Sequence, residues 1–293
     1  MLLLNASGCL DALTAPDVAR SLDAFVTKTI TPLPRGGNPP VRIAETNHGM
    51  LNAIGLANPG RAAFLQTLPR LRDAVQRPIW VSVGGFSAHE YAETCALVDA
   101  RDEVAAIELN LSCPNVDEAP ESAAEIVATC RAATDLPLYA KLSPAAWDVT
   151  VTARAVEAAG ADGLCLVNTI RGLALDERTL QPILARGVGG YSGPALKPIA
   201  LAAVYACARA TALPIVGMGG VASGRDALEL LAVGASAVAL GTVLFADPGA
   251  PARVRDEVAT ECAARGYASP DEVRARTLST SVGHRARVHA SAP

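Results

Sequence analysis

Short apolar runs alternate along the chain with longer stretches in which apolar side chains recur at helical spacing. Eight of the short runs predict strands, over 2–6, 24–29, 78–83, 106–112, 138–142, 163–168, 214–218 and 237–241. Polar and apolar residues do not alternate within these runs, as expected of strands buried on both faces. The longer stretches predict helices over about 15–22, 61–75, 88–99, 121–133, 147–159, 194–210, 225–233, 251–265 and 270–277. Ser87, Ser223 and Ser269 stand just before helices, where a hydroxyl can cap the first backbone N–H groups. The alternation predicts a parallel sheet, and eight repeats predict an α/β chain closed into a (β/α)8 TIM barrel. An open doubly wound sheet is the other arrangement, but the first βα turn has no GxGxxG.

Two segments break the rhythm. Residues 30–60 follow the second strand and are crowded with Pro and Gly; residues 171–192 follow the sixth and end near Gly187-Val188-Gly189-Gly190. We expect both as loop insertions over the barrel's upper face, the usual place for function. No linker marks a second domain, so 1–293 is expected to be a single barrel domain.

With 51% hydrophobic but only 4% aromatic residues, the core must be built from Ala, Val and Leu. The net charge of −4 gives no attraction to nucleic acid or an anionic membrane. No apolar run is long enough to span a bilayer, and the opening Met1–Leu4 lacks a basic flank. The seven cysteines are scattered, without a CxxC or CxxH pair. That argues against a metal site in this chain and suits a cytoplasmic protein with reduced thiols.

Candidate chemistry gathers where strands end. The fourth strand runs out in Glu108-Leu109-Asn110-Leu111-Ser112-Cys113-Pro114-Asn115, where Pro114 stops the ladder. A thiol and two amides thus stand where a buried strand opens, and a cysteine there can act as base or nucleophile. Lys28 and Lys141 end the second and fifth strands. One buried lysine is best explained by a neighbouring carboxylate such as Glu108; two at the same end point to a bound anion. Gly219-Gly220 and Gly241-Thr242 follow the seventh and eighth strands, the corner where barrels often hold a phosphate. Together with Lys141 they point to a phosphorylated cofactor such as flavin mononucleotide. Cys9 is undecided; Cys95, Cys130, Cys165, Cys207 and Cys262 read as small core residues. His48 could touch a ligand, whereas His89, His284 and His289 read as surface or tail.

ELNLSCPN at 108–115 resembles the active-site signature of class 1 dihydroorotate dehydrogenases. TKTITPLPRGGNPPVRIAETNHGMLNAIGLANPG at 27–60 is similar to the segment after strand two of that family, closest to its NAD-linked branch (class 1B). Residues 5–8, Lys141, Asn168-Thr169, Ser192-Gly193-Pro194, 217–221 and 240–242 also fall in the family's order, so the resemblance spans nearly the whole chain. It implies an FMN-bound barrel that oxidises (S)-dihydroorotate to orotate in pyrimidine biosynthesis. Cys113 would take the C5 proton while hydride leaves C6 for flavin N5. Lys28 would join Cys113 in the catalytic set and face both substrate and flavin. Asn52, Asn110, Asn115, Asn168 and Thr169 would bind the pyrimidine and its carboxylate, lined by Ile54, Gly55 and Leu56. Lys141, with Ala6, Ser7, Ser82, Asn110, Val167, Gly193, Gly219, Gly220, Gly241 and Thr242, would hold FMN. The implied partner is an electron-transfer subunit carrying FAD and an iron–sulfur cluster, in a heterotetramer, or else the chain is a homodimer passing electrons to an acceptor such as fumarate.

The chain departs from the family's pattern in three places. Ser82 stands where the family tends to have asparagine. The loop 116–122 is short and acidic, and the first strand starts almost at once where the family commonly has a β-hairpin before it, so a less well plugged barrel bottom is expected. The alternatives are a flavin reductase for uracil-type bases, like dihydropyrimidine dehydrogenase, a tRNA dihydrouridine synthase, disfavoured by the acidic charge, and a barrel without catalysis.

Overall fold

The computed structural model describes residues 1–111 and 123–274. Cys113, Asn115, His284 and His289 lie outside the described residues. Among those described, the strands in chain order are β1 (Leu2–Asn5), β2 (Phe25–Val26), β3 (Ile43–Thr46), β4 (Gly49–Asn52), β5 (Ile79–Val83), β6 (Val104–Asn110), β7 (Leu138–Leu142), β8 (Gly163–Leu166), β9 (Ile170–Gly172), β10 (Gly189–Ser192), β11 (Ile215–Met218) and β12 (Ala237–Leu240). Eight of them pair in parallel in the order β1-β12-β11-β8-β7-β6-β5-β2. A parallel bridge between Leu4 and Ala24 joins the two ends. The result is a (β/α)8 barrel.

Period-two alternation explains how these strands are buried on both faces. Ile79, Val81 and Val83 turn outward into a layer shared with helix residues such as Leu68, Val75 and Val98. Leu4, Val26, Cys165, Val216, Met218, Ala237 and Ala239 form a separate cluster inside the barrel, with Trp80 and Tyr139 against it. Those two rings sit near the N-terminal ends of β5 and β7, with centroids 4.3 Å apart. Ala24 and Ala6 complete this cluster, small side chains as the scarcity of aromatics requires.

The second strand is shorter than its apolar run. Beyond Val26 the ladder is interrupted, because the Thr27 hydroxyl, not a backbone carbonyl, takes the Ser82 N–H at 3.1 Å. Backbone pairing resumes when the Ile30 N–H reaches the Ser82 carbonyl. The helix expected over 194–210 opens with a 3-10 turn, Pro194–Leu196, before Lys197–Ala210. The cap at Ser223 is realised in full. Its hydroxyl accepts the Asp226 N–H, and the Asp226 carboxylate takes the Ser223 N–H in return.

Four strands lie outside the barrel. They form an antiparallel sheet in the order β3-β4-β10-β9, pairing Leu51 with Tyr191. Its own small core is Ala44, Leu51, Ala53 and Leu184. We call this sheet the roof. No helix among the described residues is long and apolar enough to cross a membrane.

The layered burial gives a direct test. Leu164 is fully buried in the barrel wall, whereas Trp147 is fully exposed. Leu164→Ala should cost about 3 kcal/mol in chemical denaturation, and Trp147→Ala should change stability by less than about 0.5 kcal/mol.

Candidate active site

The C-terminal ends of the barrel strands and the roof enclose a cavity of about 900 Å³. Each strand contributes what its terminal residues offer. Ala6, Ser7, Gly8 and Cys9 follow β1; Lys28 and Thr29 follow β2; Asn110 ends β6 and Lys141 lies in β7. Val167, Asn168 and Thr169 follow β8, Gly219 and Gly220 follow β11, and Gly241 and Thr242 follow β12. The roof supplies Met50 and Asn52, and the chain beyond it Ile54, Leu56 and Gly193. Sequence reasoning therefore names sixteen residues that share one cavity.

Two expected residues are placed elsewhere. Gly55 is not in the cavity wall; a Cβ there would lie 2.6 Å from the Asn38 side-chain oxygen, so it turns the chain against Asn38. Ser82 is fully buried and does not reach the cavity. Its hydroxyl is committed to Glu108 at 3.0 Å and to Thr29 at 2.9 Å, so a direct flavin contact through Ser82 is not what this geometry provides.

The floor of the cavity is polar. The Lys141 ammonium donates to the Ser7 hydroxyl at 2.9 Å and lies 3.6 Å from Glu108 Oε1. Pairing with a carboxylate, the simpler expectation for a buried lysine, thus holds for Lys141. Asn110 donates to Thr29 Oγ1 at 3.1 Å, Asn168 donates to Asn110 Oδ1 at 3.2 Å, and the Thr169 N–H donates to Asn168 Oδ1 at 2.8 Å. The ends of alternate strands, β2, β6 and β8, are laced together side chain to side chain across the barrel. The roof is tied in too, since Asn52 donates to the Gly190 carbonyl at 3.2 Å and Thr242 to the Ser192 hydroxyl at 2.8 Å.

Lys28 has its room made by Gly8. That glycine has φ +78°, and a Cβ on it would lie 3.0 Å from Lys28 Cδ. Cys9 lines the same cavity. Burial pushes its thiol pKa up, and the positive charges of Lys141 and Lys28 offset this only in part. That direction favours the neutral thiol over a thiolate nucleophile. His48 reaches the cavity, whereas His89 sits on the surface 3.2 Å from Glu93. Among the described residues no group of three or more His, Cys, Asp or Glu is arranged to hold a metal ion. Glu108 is legible in the sequence as a partner for a buried lysine, but its bond to Ser82 is not. Its signal was a lone acid within the apolar run Ala105-Ala106-Ile107-Glu108-Leu109.

The family model for dihydroorotate dehydrogenase matches residues 2–261. The dihydroorotate dehydrogenase B (NAD(+)) catalytic subunit of Trichlorobacter lovleyi is 46% identical over 255 residues, covering 84% of each chain. The protein of the same name from Halalkalibacterium halodurans is 44% identical, over 81% of this chain and 80% of that one. The one from Listeria monocytogenes is 42% identical, over 86% of each. Among solved structures, a dihydroorotate dehydrogenase from Eimeria tenella, in complex with ferulenol, aligns with a TM-score of 0.80. That alignment covers 93% of this chain and 84% of that one; at 22% identity it speaks to the barrel alone. A parallel barrel with lysines and amides at its mouth, and this degree of identity along most of its length, place the chain in the dihydroorotate dehydrogenase family, in the NAD-linked class 1B branch.

Proposed function

We propose that the chain oxidises (S)-dihydroorotate to orotate with FMN as its bound cofactor and Cys113 as the base. The observation that carries this reading is the convergence of two lysines and three amides, Asn52, Asn110 and Asn168, on one cavity of about 900 Å³. A planar imide bearing a carboxylate needs both hydrogen-bond partners and a cation; the amides and Lys28 provide them.

The residues present fit FMN. The cavity is at the large end of the range for small-molecule sites, roughly 300–1,000 Å³, with room for a flavin and a pyrimidine. Gly220 has φ +78°, and a Cβ on it would lie 2.6 Å from the Lys197 backbone nitrogen, so this turn passes where only glycine can. At Gly241 a Cβ would meet nothing nearer than 3.5 Å. The protein alone gives no steric reason for glycine there, and the space beside it suits a ligand approaching the backbone. Ala6, Ser7, Val167, Gly193, Gly219, Gly220, Gly241 and Thr242 would hold the cofactor, with Lys141 near its electron-rich ring. When bound, FMN supplies the hydride acceptor.

The chain's own residues do the rest. Cys113, as thiolate, takes the proton from C5 of the substrate. Asn52, Asn110, Asn115, Asn168 and Thr169 hold the ring and its carboxylate, and Lys28 neutralises charge between substrate and cofactor. Ile54 and Leu56 exclude water from above. Onward electron flow is assigned to a partner subunit carrying FAD and an iron–sulfur cluster, within a heterotetramer. The support is the name of the relatives, catalytic subunits linked to NAD(+).

The protein purified with added flavin should be yellow and bleach when titrated anaerobically with dihydroorotate; a colourless protein contradicts the proposal. Orotate should perturb the flavin spectrum more strongly than uracil does. Cys113→Ser should lower kcat by on the order of 100-fold while FMN stays bound; a serine variant as fast as the parent at neutral pH removes the base assignment. Lys141→Ala should weaken flavin binding by about tenfold and lower Tm, because Glu108 loses its counter-ion. Unchanged flavin affinity and unchanged reduction rate would strip Lys141 of that role.

A further inference from the structure

Side-chain hydrogen bonds on the cavity floor form a single file from Thr169 through Asn168, Asn110, Thr29 and Ser82 to Glu108. Only one direction of donation satisfies it. A carboxylate accepts and cannot donate, so the Ser82 hydroxyl proton points at Glu108. Ser82 then has only a lone pair for Thr29, and the Thr29 hydroxyl must donate to it across 2.9 Å. Thr29 in turn can only accept from Asn110, which turns the amino end of that amide toward it. The Asn110 carbonyl is thereby left for the amino end of Asn168. The far end makes the same demand independently. The Thr169 backbone N–H needs an acceptor, and it finds the Asn168 carbonyl at 2.8 Å.

We propose that Glu108 is a positioning residue: as an acceptor at the closed end of this file, it fixes which ends of the Asn110 and Asn168 amides face a bound pyrimidine. This deepens the reading of the site given above and rests on it. An amide can offer a ligand N–H groups or a carbonyl, and a half-turn exchanges them. In the absence of the carboxylate, Ser82 could donate to Thr29, Thr29 to Asn110, and Asn110 would turn over. Asn168 would then be claimed by two donors, Asn110 and the Thr169 N–H, so the amides would lose a single orientation. Glu108 touches neither the cavity nor its contents. It lies 3.6 Å from Lys141, and Cys165 packs beside it as a thiol raised by burial and by the carboxylate's charge. Its Oε2 has no hydrogen-bond partner among the described residues. The file is therefore anchored through Oε1 alone.

The test separates the acceptor from the charge, using FMN-loaded protein and orotate as the probe, read by the shift in flavin absorbance. Ser82→Ala cuts the file and leaves the Glu108–Lys141 pair intact. It should weaken orotate binding by about tenfold, with FMN affinity within about twofold of the parent. Glu108→Met removes the acceptor and should lose at least as much. Glu108→Gln keeps a carbonyl that can accept from Ser82, and should lose about threefold or less. Parent-like orotate affinity in Ser82→Ala, a readily folded small-to-small change, overturns the proposal. So does equal loss in Glu108→Gln and Glu108→Met, which would assign the effect to charge. A parent protein that binds FMN but not orotate overturns the reading of the site, and this inference with it.

Discussion

Two opposite charges face each other across 3.6 Å near the top of the barrel, with Lys141 4% and Glu108 1% exposed. Withdrawing either from water costs several kcal/mol, and neither could stay alone. Their mutual attraction, with the Ser7 and Ser82 hydroxyls on each, offsets that cost. The arrangement divides the barrel interior. Below it, Trp80 and Tyr139 stack and aliphatic side chains fill the space. Above it lie the polar strand ends and the cavity. An apolar side chain in place of either partner would leave the other buried and uncompensated.

Much of this was legible from one dimension. Strands buried on both faces carry unbroken apolar runs, and eight such runs separated by helical stretches leave few architectures besides a closed barrel. Lysines and amides at the ends of those runs mark the open face without any knowledge of tertiary structure. The depth of a side chain is harder to read. Ser82 and Val83 are neighbours, yet one points into the barrel and the other into the helical layer. Facing follows from period-two alternation, but the row a residue occupies depends on its partners' register, which no local pattern records. Hence Ser82 reads as a cavity residue in sequence and lies one row beneath it. The apolar run 24–29 overstates the length of the second strand for a related reason. Thr27 is as good a strand residue as any, but its hydroxyl displaces a ladder bond.

The roof was the least legible element. Residues 43–46 and 49–52 are short and mix polar with apolar positions; they pair with each other as a hairpin, but the strand that extends the sheet beyond 49–52 begins at Gly189. Nothing within either segment announces a partner so far away.

This distance has a consequence for how the binding site comes into being. The hydrogen bond from Asn52 to the Gly190 carbonyl spans 138 positions, and β12 finishes the wall only at Leu240. During synthesis, the half of the site nearest the amino terminus must therefore wait, its amides solvated, until most of the chain has left the ribosome. Ligand capture is in that sense a reward reserved for complete chains, and a truncated product would have no pocket with which to hold a cofactor back from its intact neighbours.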